Sequence, residues 1–571
     1  MSSAMHGLLV FWITVTVIQW PLPSAVGATF GATDSVTEIY VSFDRNNSVF
    51  SFRERPDDFT VAHARFDNAI NRTGFSYLSI TTVNDYTYQL NSSVQAYAAG
   101  LAEGFLTREL ISLHFLNTIG SFCQNRTTSS CQKLETFLKQ NLDWITDNVN
   151  ANPDDSYWYQ VRLFYEQIRG LQDGYQGTPA QITMDVDDFL GIYLLQISTD
   201  VYDISKALSD DGGDAEWPQY GHCSALIKLL PGNKEIKDIL IAHDTWTSYK
   251  AMLRILKRYD TYLHENPIES DPVLGHTMTF SSYPGSITSI DDFYVLSSAM
   301  VTMETTNPLF NKNLYKKIQP KCVLESVRSM VANRLADHGD DWSQIFSQFN
   351  SGTYNNQWMI VDLKNYDQYF HEVLPGFVTV LEQIPGQIRY ADLTDTLLSK
   401  GYWASYNLPY FPDIFNMSGV PEMVAKYGDF FSYDQSPRAQ IFRRDQSQVV
   451  DIESMIKIMR YNDFKNDPLS RCNCTPPYSG ENAISSRSDL NLPDGQYPFP
   501  ELSFGLGGGI DMKLTSLSMA FETLTFLAIS GPTFDPLPPF QWSKAFNNTS
   551  VPHFGHPDLF QFGPVYFNGT F

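Results

Sequence analysis

Two short apolar runs, residues 224–230 and 236–242, joined by Pro231-Gly232-Asn233, constrain the fold of this chain most. Apolar stretches of strand length on either side of a Pro-Gly turn read as an antiparallel hairpin. The first run follows Cys223, which closes the loop-like segment Trp217-Pro218-Gln219-Tyr220-Gly221-His222. Ahead of that, Ser209-Asp210-Asp211-Gly212-Gly213-Asp214 is acidic and glycine-rich, the composition of a solvated, cleavable linker. Cys223 therefore has two readings. Cutting the bond before it makes it an N-terminal nucleophile; left uncut, it is a small buried hydrophobe opening a strand.

Around this hairpin the hydrophobic period changes. Residues 30–100 are β-rich, with strands predicted at 36–43 and 77–83. Residues 98–116, 134–144 and 158–171 then repeat apolar positions at helical spacing, which makes the aromatic positions Trp158, Phe164 and Tyr165 core residues. Beyond the hairpin the pattern predicts a helix over 248–259 and strands at 295–303, 357–363 and 377–383. Runs of strands kept apart from runs of helices favour a layered α+β fold over a parallel doubly wound sheet. The resulting division is 1–28, 29–208, a linker at 209–222, and 223–571.

A formal charge of −24 argues against nucleic acid and against a basic membrane-binding surface. Residues 8–18 form a short apolar core followed by Pro21, Pro23 and small residues, which reads as a signal peptide ending near Ala28. No later segment offers the roughly 18 uninterrupted apolar residues of a membrane span. Asn-x-Ser/Thr acceptors at Asn46, Asn71, Asn91, Asn125, Asn416, Asn473, Asn547, Asn548 and Asn568 agree with passage through the secretory route.

Of the six cysteines, Cys123 and Cys131 flank a polar loop suited to a small disulfide, while Cys472 and Cys474 are so close that a bond between them would be strained. That leaves Cys223 and Cys322, the latter in a basic stretch read as helical. The chain has no Gly-x-Ser-x-Gly elbow, no Gly-x-Gly-x-x-Gly, no His-Glu-x-x-His and no Gly-Lys-Ser/Thr phosphate loop, so the sequence carries no cofactor signal.

Several blocks in order resemble the phospholipase B-like family: Gly221-His222-Cys223-Ser224-Ala225-Leu226-Ile227-Lys228, Ala242-His243-Asp244-Thr245-Trp246, Phe280-Ser281-Ser282-Tyr283-Pro284-Gly285, Gly352-Thr353-Tyr354-Asn355-Asn356-Gln357-Trp358 and Tyr433-Asp434-Gln435-Ser436-Pro437-Arg438-Ala439. Glu481-Asn482-Ala483-Ile484-Ser485-Ser486-Arg487-Ser488-Asp489-Leu490 extends the match.

The resemblance implies an N-terminal-nucleophile hydrolase, a four-layer αββα sandwich of two antiparallel sheets, made as a precursor that cuts itself between His222 and Cys223. Cys223 is then the nucleophile, with its own freed amine as base, at a pKa of roughly 7.7 to 8.0. Asn355 or Asn356 is implied as oxyanion donor, the alternative for either being a turn before the strand at 357–363. Arg438 is implied to hold the terminal amine region or a substrate oxygen. His243, read at the end of the second hairpin strand, is implied to face the nucleophile, Trp246 to shape the pocket, and Thr305 to add a hydroxyl. The family implies release of acyl groups from lipids by a secreted or lysosomal protein whose two fragments stay associated. An amidase acting on N-acyl amides through the same site, or a noncatalytic lipid-binding glycoprotein, are the alternatives.

Overall fold

The computed structural model describes residues 36–83, 91–120, 122, 129–177, 190–209, 222–232, 235–269, 271–546 and 550–571. The signal peptide, Cys123, Asn125, Asn547, Asn548 and the linker apart from Ser209 and His222 lie outside them. The strands that build the two large sheets begin with β1 Thr37–Asp44, β2 Val49–Arg53, β3 Thr60–Asp67, β4 Phe75–Thr82, β5 His222–Pro231 and β6 Ile236–Ser248. They continue with β7 Arg254–Asp260, β8 Thr277–Ser282, β9 Phe293–Leu296, β10 Met300–Thr306, β11 Asn356–Asp362 and β12 Val378–Ile384. The last are β13 Gln387–Asp392, β14 Tyr402–Ser405, β15 Gly507–Ser516, β16 Phe526–Ser530 and β17 Val565–Phe567. The helices used below are α1 Ser92–Thr118, α2 Ser129–Ala151, α3 Ser156–Gln176, α4 Ser198–Leu208, α5 Glu325–Leu335, α6 Pro437–Asp445 and α7 Ile452–Met459.

The strand order is β13-β12-β11-β10-β9-β8-β7-β4-β3-β1-β2 in an eleven-stranded sheet and β14-β5-β6-β15-β16-β17 in a six-stranded one. Because side chains alternate across a strand, β5 and β6 present Ala225, Ile227, Leu229, Ile239 and Ile241 on one face. These share a core with Val301 and Met303 of β10 and Met359 and Val361 of β11, so the two sheets face each other. The opposite residues of the small sheet, Leu226, Leu240, Met512 and Leu514, pack on Phe442 of α6 and Met455 of α7. On the far side of the large sheet, Leu78, Ile80 and Phe280 meet Leu101 of α1 and Phe164 and Ile168 of α3.

The helices on that side approach unusually closely. A Cβ built on Gly104 of α1 would lie 2.0 Å from the carbonyl oxygen of Leu171, and one on Gly170 of α3 would lie 2.0 Å from that of Tyr97. Only glycine allows backbone to meet backbone there. The α1 helix is capped by Asn91, whose side chain accepts from the Ser93 N–H, and is buried on nearly all sides, so it begins at Ser92 and runs past the narrower stripe that its sequence displays.

The hairpin at 222–248, the strands near 36–43, 77–83, 357–363 and 377–383, and helices at 129–151 and 156–176 match the sequence reading. Four expectations are corrected. The two sheets are not wholly antiparallel: β4 and β7 pair in parallel, which joins the segment before the linker to the segment after it within one sheet. Residues 248–259 are not a helix; a single turn at Tyr249–Ala251 leads into β7. That strand is buried on both faces and carries Arg254 and Lys257 there, paired with Asp291 and Glu103, so it lacks any period of two. Residues 295–303 are two strands rather than one, β9 and β10, reversed about Ala299, whose φ is 57°. Cys322 lies in a bend ahead of α5, buried and in no disulfide.

Cys472 and Cys474 are disulfide-bonded to each other, and Cys131 is disulfide-bonded. Among the described residues no helix is long and apolar enough to cross a membrane.

Candidate active site

The hairpin register sets the site. In β5–β6, Cys223 stands opposite Thr245 and Ala225 opposite His243, so Cys223, His243 and Thr245 continue the face that packs between the sheets. His243 is therefore mid-strand, five residues before the end of β6, not at the strand's end as the sequence suggested. The carbonyl oxygen of Glu304 on β10 accepts from Nε2 of His243 at 2.8 Å, which leaves Nδ1 as the imidazole's lone pair. One sulfur, one ring nitrogen and one carboxylate oxygen from Cys223, His243 and Glu304 lie within 4.8 Å of one another, all buried.

Burial keeps this cluster neutral. It pushes the Cys223 thiol far above its ordinary pKa, and an ionised Glu304 would raise it further. Burial and nearby Lys513 push His243 well below the usual histidine value, so the ring is uncharged at neutral pH. Burial and Asp292 hold Glu304 well above the carboxylate range. Against burial, Arg254 and Lys513 hold Asp291 below that range. Arg254 meets Asp291 at 2.7 Å and Asp511 at 2.9 Å, and Lys513 meets Asp511 at 2.7 Å. The Thr245 hydroxyl donates to Asp291 and accepts from Lys513, tying this ionic group to the strand that carries His243.

Among the described residues, Cys223, His243 and Glu304 are the group whose ligand atoms converge closely enough for a metal ion. An ion there needs a thiolate and a carboxylate, and burial disfavours both.

The backbone on both sides of the Cys223 Cα is held by side chains. Its N–H donates to Oδ1 of Asn407 at 2.9 Å, and its carbonyl oxygen accepts from Arg438 Nη1 at 2.7 Å. Asn407 is itself fixed, with φ of 63° and its amide nitrogen donating to the Thr306 carbonyl at 2.7 Å. The Arg438 guanidinium lies 4.4 Å from the ring centre of Trp246, and the Trp246 indole N–H donates to the Ile484 carbonyl at 3.1 Å. Trp246 falls on the register opposite that of Cys223, so it backs Arg438 from the outer face of the small sheet. Burial pulls the Arg438 pKa down to about 10, which leaves it charged.

The remaining candidates separate. Thr305, on the inter-sheet side of β10, shares a 2.6 Å hydrogen bond with Ser405, the partner of Ala225 across β14–β5. Asn355 turns its amide nitrogen to the Gly352 carbonyl at 3.0 Å and to Asp203 at 3.4 Å. Asn356, opposite Thr306, is fully buried and neither of its amide atoms has a hydrogen-bond partner in the protein. Of the two, Asn356 has the free donor.

In front of His222, Asn407 and Arg438 lies a small cleft of about 50 Å³, with Phe310, Phe431 and Tyr406 on its apolar side and Glu481 on its polar side. That volume admits one or two waters.

Sequence reasoning missed Glu304, Asn407, Asp291, Lys513 and Tyr354. Glu304 sits in a strand flanked by threonines, and nothing in Thr302-Met303-Glu304-Thr305 separates a buried acid from an exposed one. Asn407 had a weak signal: an asparagine two residues before Pro409 is a residue type that accepts left-handed backbone.

The sequence model of the family described as phospholipase B matches residues 62–567. A Rattus norvegicus protein named phospholipase B-like 2 is 49% identical over 515 residues, covering 88% of this chain and 86% of its own length. A Homo sapiens protein of the same name is 48% identical over 521 residues, covering 88% and 85%. A Caenorhabditis elegans protein named phospholipase B-like 1 is 41% identical over 512 residues, covering 88% and 87%. These names give a family likeness and no measured reaction.

Proposed function

Because the chain belongs to the phospholipase B-like family, we propose that it is an N-terminal-nucleophile hydrolase that cuts itself before Cys223 and then releases acyl groups from lipids. The observation that carries this reading is the clamp on Cys223: a buried thiol at the start of a strand, its amide nitrogen on Asn407 and its carbonyl on Arg438. An ordinary buried cysteine needs no side-chain anchors on its own backbone, whereas a residue that must stay in place after its chain is cut does.

In the first step the Cys223 sulfur attacks the His222 carbonyl carbon. The carbon–nitrogen bond breaks, the nitrogen takes the thiol proton, and water hydrolyses the resulting thioester to leave a His222 carboxylate and a free Cys223 amine. In turnover that amine takes the thiol proton and the thiolate attacks the acyl carbonyl. The ammonium then protonates the leaving alcohol or amine, and water releases the acid. His243 is a poor competitor for the role of base, since burial suppresses its protonation and one ring nitrogen is already committed. Asn356 is the oxyanion donor in this scheme, a contribution of about 3 to 4 kcal/mol. Arg438 holds the Cys223 carbonyl with Trp246 behind it, and Thr305 fixes the strand beside the site.

The fold proposed with this chemistry is the αββα sandwich of N-terminal-nucleophile hydrolases, and the two fragments stay associated because β4 and β7 share a sheet across the cut. A secretory destination, lysosomal or extracellular, is supported by exposed acceptor asparagines at Asn46, Asn71, Asn91, Asn416 and Asn473 and by the disulfides. Ester and amide substrates suit the same thioester. A noncatalytic glycoprotein is the second reading, favoured by one observation: the cleft beside His222 holds only about 50 Å³, too little for an acyl chain to reach Cys223.

Intact mass after acidification separates the readings: the enzyme gives fragments starting near residue 29 and at Cys223, and Cys223→Ala gives neither cut nor activity. Fatty acid released from phospholipids against N-acyl amides then identifies the bond broken. An uncut wild type that releases no acid would sink the proposal.

A further inference from the structure

The segment upstream of the linker does more than complete the large sheet. Its helix α4 buries two carboxylates against the loop that leads into β11. Asp200 accepts from the Glu325 N–H at 3.1 Å and from the Thr353 hydroxyl, and Asp203 accepts from the Tyr354 N–H at 2.8 Å. Tyr354 has φ of 47°, a left-handed conformation that is unfavourable for a bulky residue and persists only where its surroundings fix it. Its hydroxyl donates at 2.7 Å to Glu304 Oε1, and a carboxylate oxygen of Glu304 lies within 4.8 Å of the Cys223 sulfur. The path from the upstream fragment to the thiol therefore runs through two hydrogen bonds and one strained residue.

We propose that Asp203, on the fragment that lies before the cut, is a positioning residue of the active site, holding Tyr354 left-handed so that its hydroxyl orients Glu304 beside the Cys223 thiol. The inference rests on the cut and the acyl hydrolysis proposed above. It makes the mature enzyme a two-chain active site: the upstream fragment remains after cleavage because turnover uses it. A second contact points the same way. Gln196 of the short helix Leu190–Gln196 accepts from the Ile287 N–H at 2.9 Å and holds the loop that supplies Asp291.

The test uses the full-length protein and three variants. Asp203→Ala keeps the two fragments co-eluting on size exclusion but lowers kcat at least tenfold, with KM within twofold of wild type. Asp203→Asn, whose amide oxygen still accepts from the Tyr354 N–H, recovers most of that loss. Tyr354→Phe leaves the Asp203 contact intact and removes only the hydroxyl, so it lowers kcat to a similar extent. The double variant Asp203→Ala/Tyr354→Phe is then no slower than the worse single variant, since both act through one path. Multiplied losses in the double variant, or wild-type kcat in Tyr354→Phe, overturn the inference, and the second reading holds even if Asp203→Ala fails to fold. A wild type that is neither cut nor active overturns the functional reading and this inference together; an active wild type with indifferent variants overturns the inference alone.

Discussion

Replacing Asn407 separates two contributions that the structure assigns to one side chain. Its Oδ1 accepts the Cys223 N–H at 2.9 Å in a buried setting, so removing the amide leaves a buried donor unsatisfied at a cost of about 1 to 3 kcal/mol. Its backbone sits at φ of 63°, where alanine is strained by about 1 to 2 kcal/mol and glycine is not. Asn407→Gly therefore loses the hydrogen bonds alone, and Asn407→Ala loses them and adds strain. In the proposed cut the Cys223 nitrogen gains a proton as it leaves, so its hydrogen bond to Oδ1 strengthens on the way to the transition state. At 1.36 kcal/mol per decade, a differential loss of about 1.4 to 2.8 kcal/mol slows the cut tenfold to a hundredfold. The assay follows purified precursor over time, quantifying by intact mass the chains that begin at Cys223. Asn407→Gly should be cut at that reduced rate, and Asn407→Ala should in addition melt below it. A glycine variant cut at the wild-type rate would refute the anchor, and equal melting of the two would refute the strain.

Two further outcomes test other parts of the structure. Gly104→Ala places a methyl where Leu171 O is 2.0 Å away; backbone cannot yield as a side chain does, so α1 and α3 must separate at a cost of about 1 to 3 kcal/mol or more. Thermal unfolding of that variant should drop clearly, while Gly563→Ala, which meets nothing within 4 Å, should melt as wild type. Stability should also rise on mild acidification. Burial pushes Asp203 and Glu382 up to about 7, so from about pH 4 to 7 the folded chain holds protons that the unfolded chain has released, and stability is lost as pH rises through that window. His222, pushed down to about 4, His114 and His556, to about 3, and His243, also pushed well down, oppose this below pH ~6.5, but Asp200, Asp244, Asp292, Glu304 and Glu325 are raised beside Asp203 and Glu382, and the more numerous carboxyls prevail. Calorimetry should give a higher Tm at pH 5.5 than at pH 7.5; the reverse order would mean that the buried histidines dominate.

What could be read from the sequence follows from where the partners of each residue lie. The hairpin at 222–248 was legible because its apolar runs and its turn are contiguous, and α2 and α3 because their buried faces repeat locally. The strand β7 was not, since Arg254 and Lys257 are neutralised by Asp291, Asp511 and Glu103, residues far away in the chain. The same distance hid Glu304, whose hydrogen-bond partner is Tyr354, and Asn407, which meets Cys223 across 184 residues. His243 and Arg438 were found through the matched blocks, and the geometry that gives them meaning, one on Glu304 and the other on the Cys223 carbonyl, needed the fold. Asn355 and Asn356 were indistinguishable as neighbours, and separate only once Gly352 and Asp203 are seen to occupy the first.

The account turns on the nitrogen of Cys223 acting as a base once it is an amine. A protease site placed in the linker so that one extra residue remains ahead of Cys223 opens the chain and keeps the thiol, yet leaves that nitrogen an amide, which resonance makes non-basic. Fatty acid release by this form, measured beside fully matured protein of equal thiol content, should fall at least a hundredfold, the size of a lost general base. Wild-type turnover from the extended form would contradict the account and make Cys223 an ordinary thiol assisted by His243.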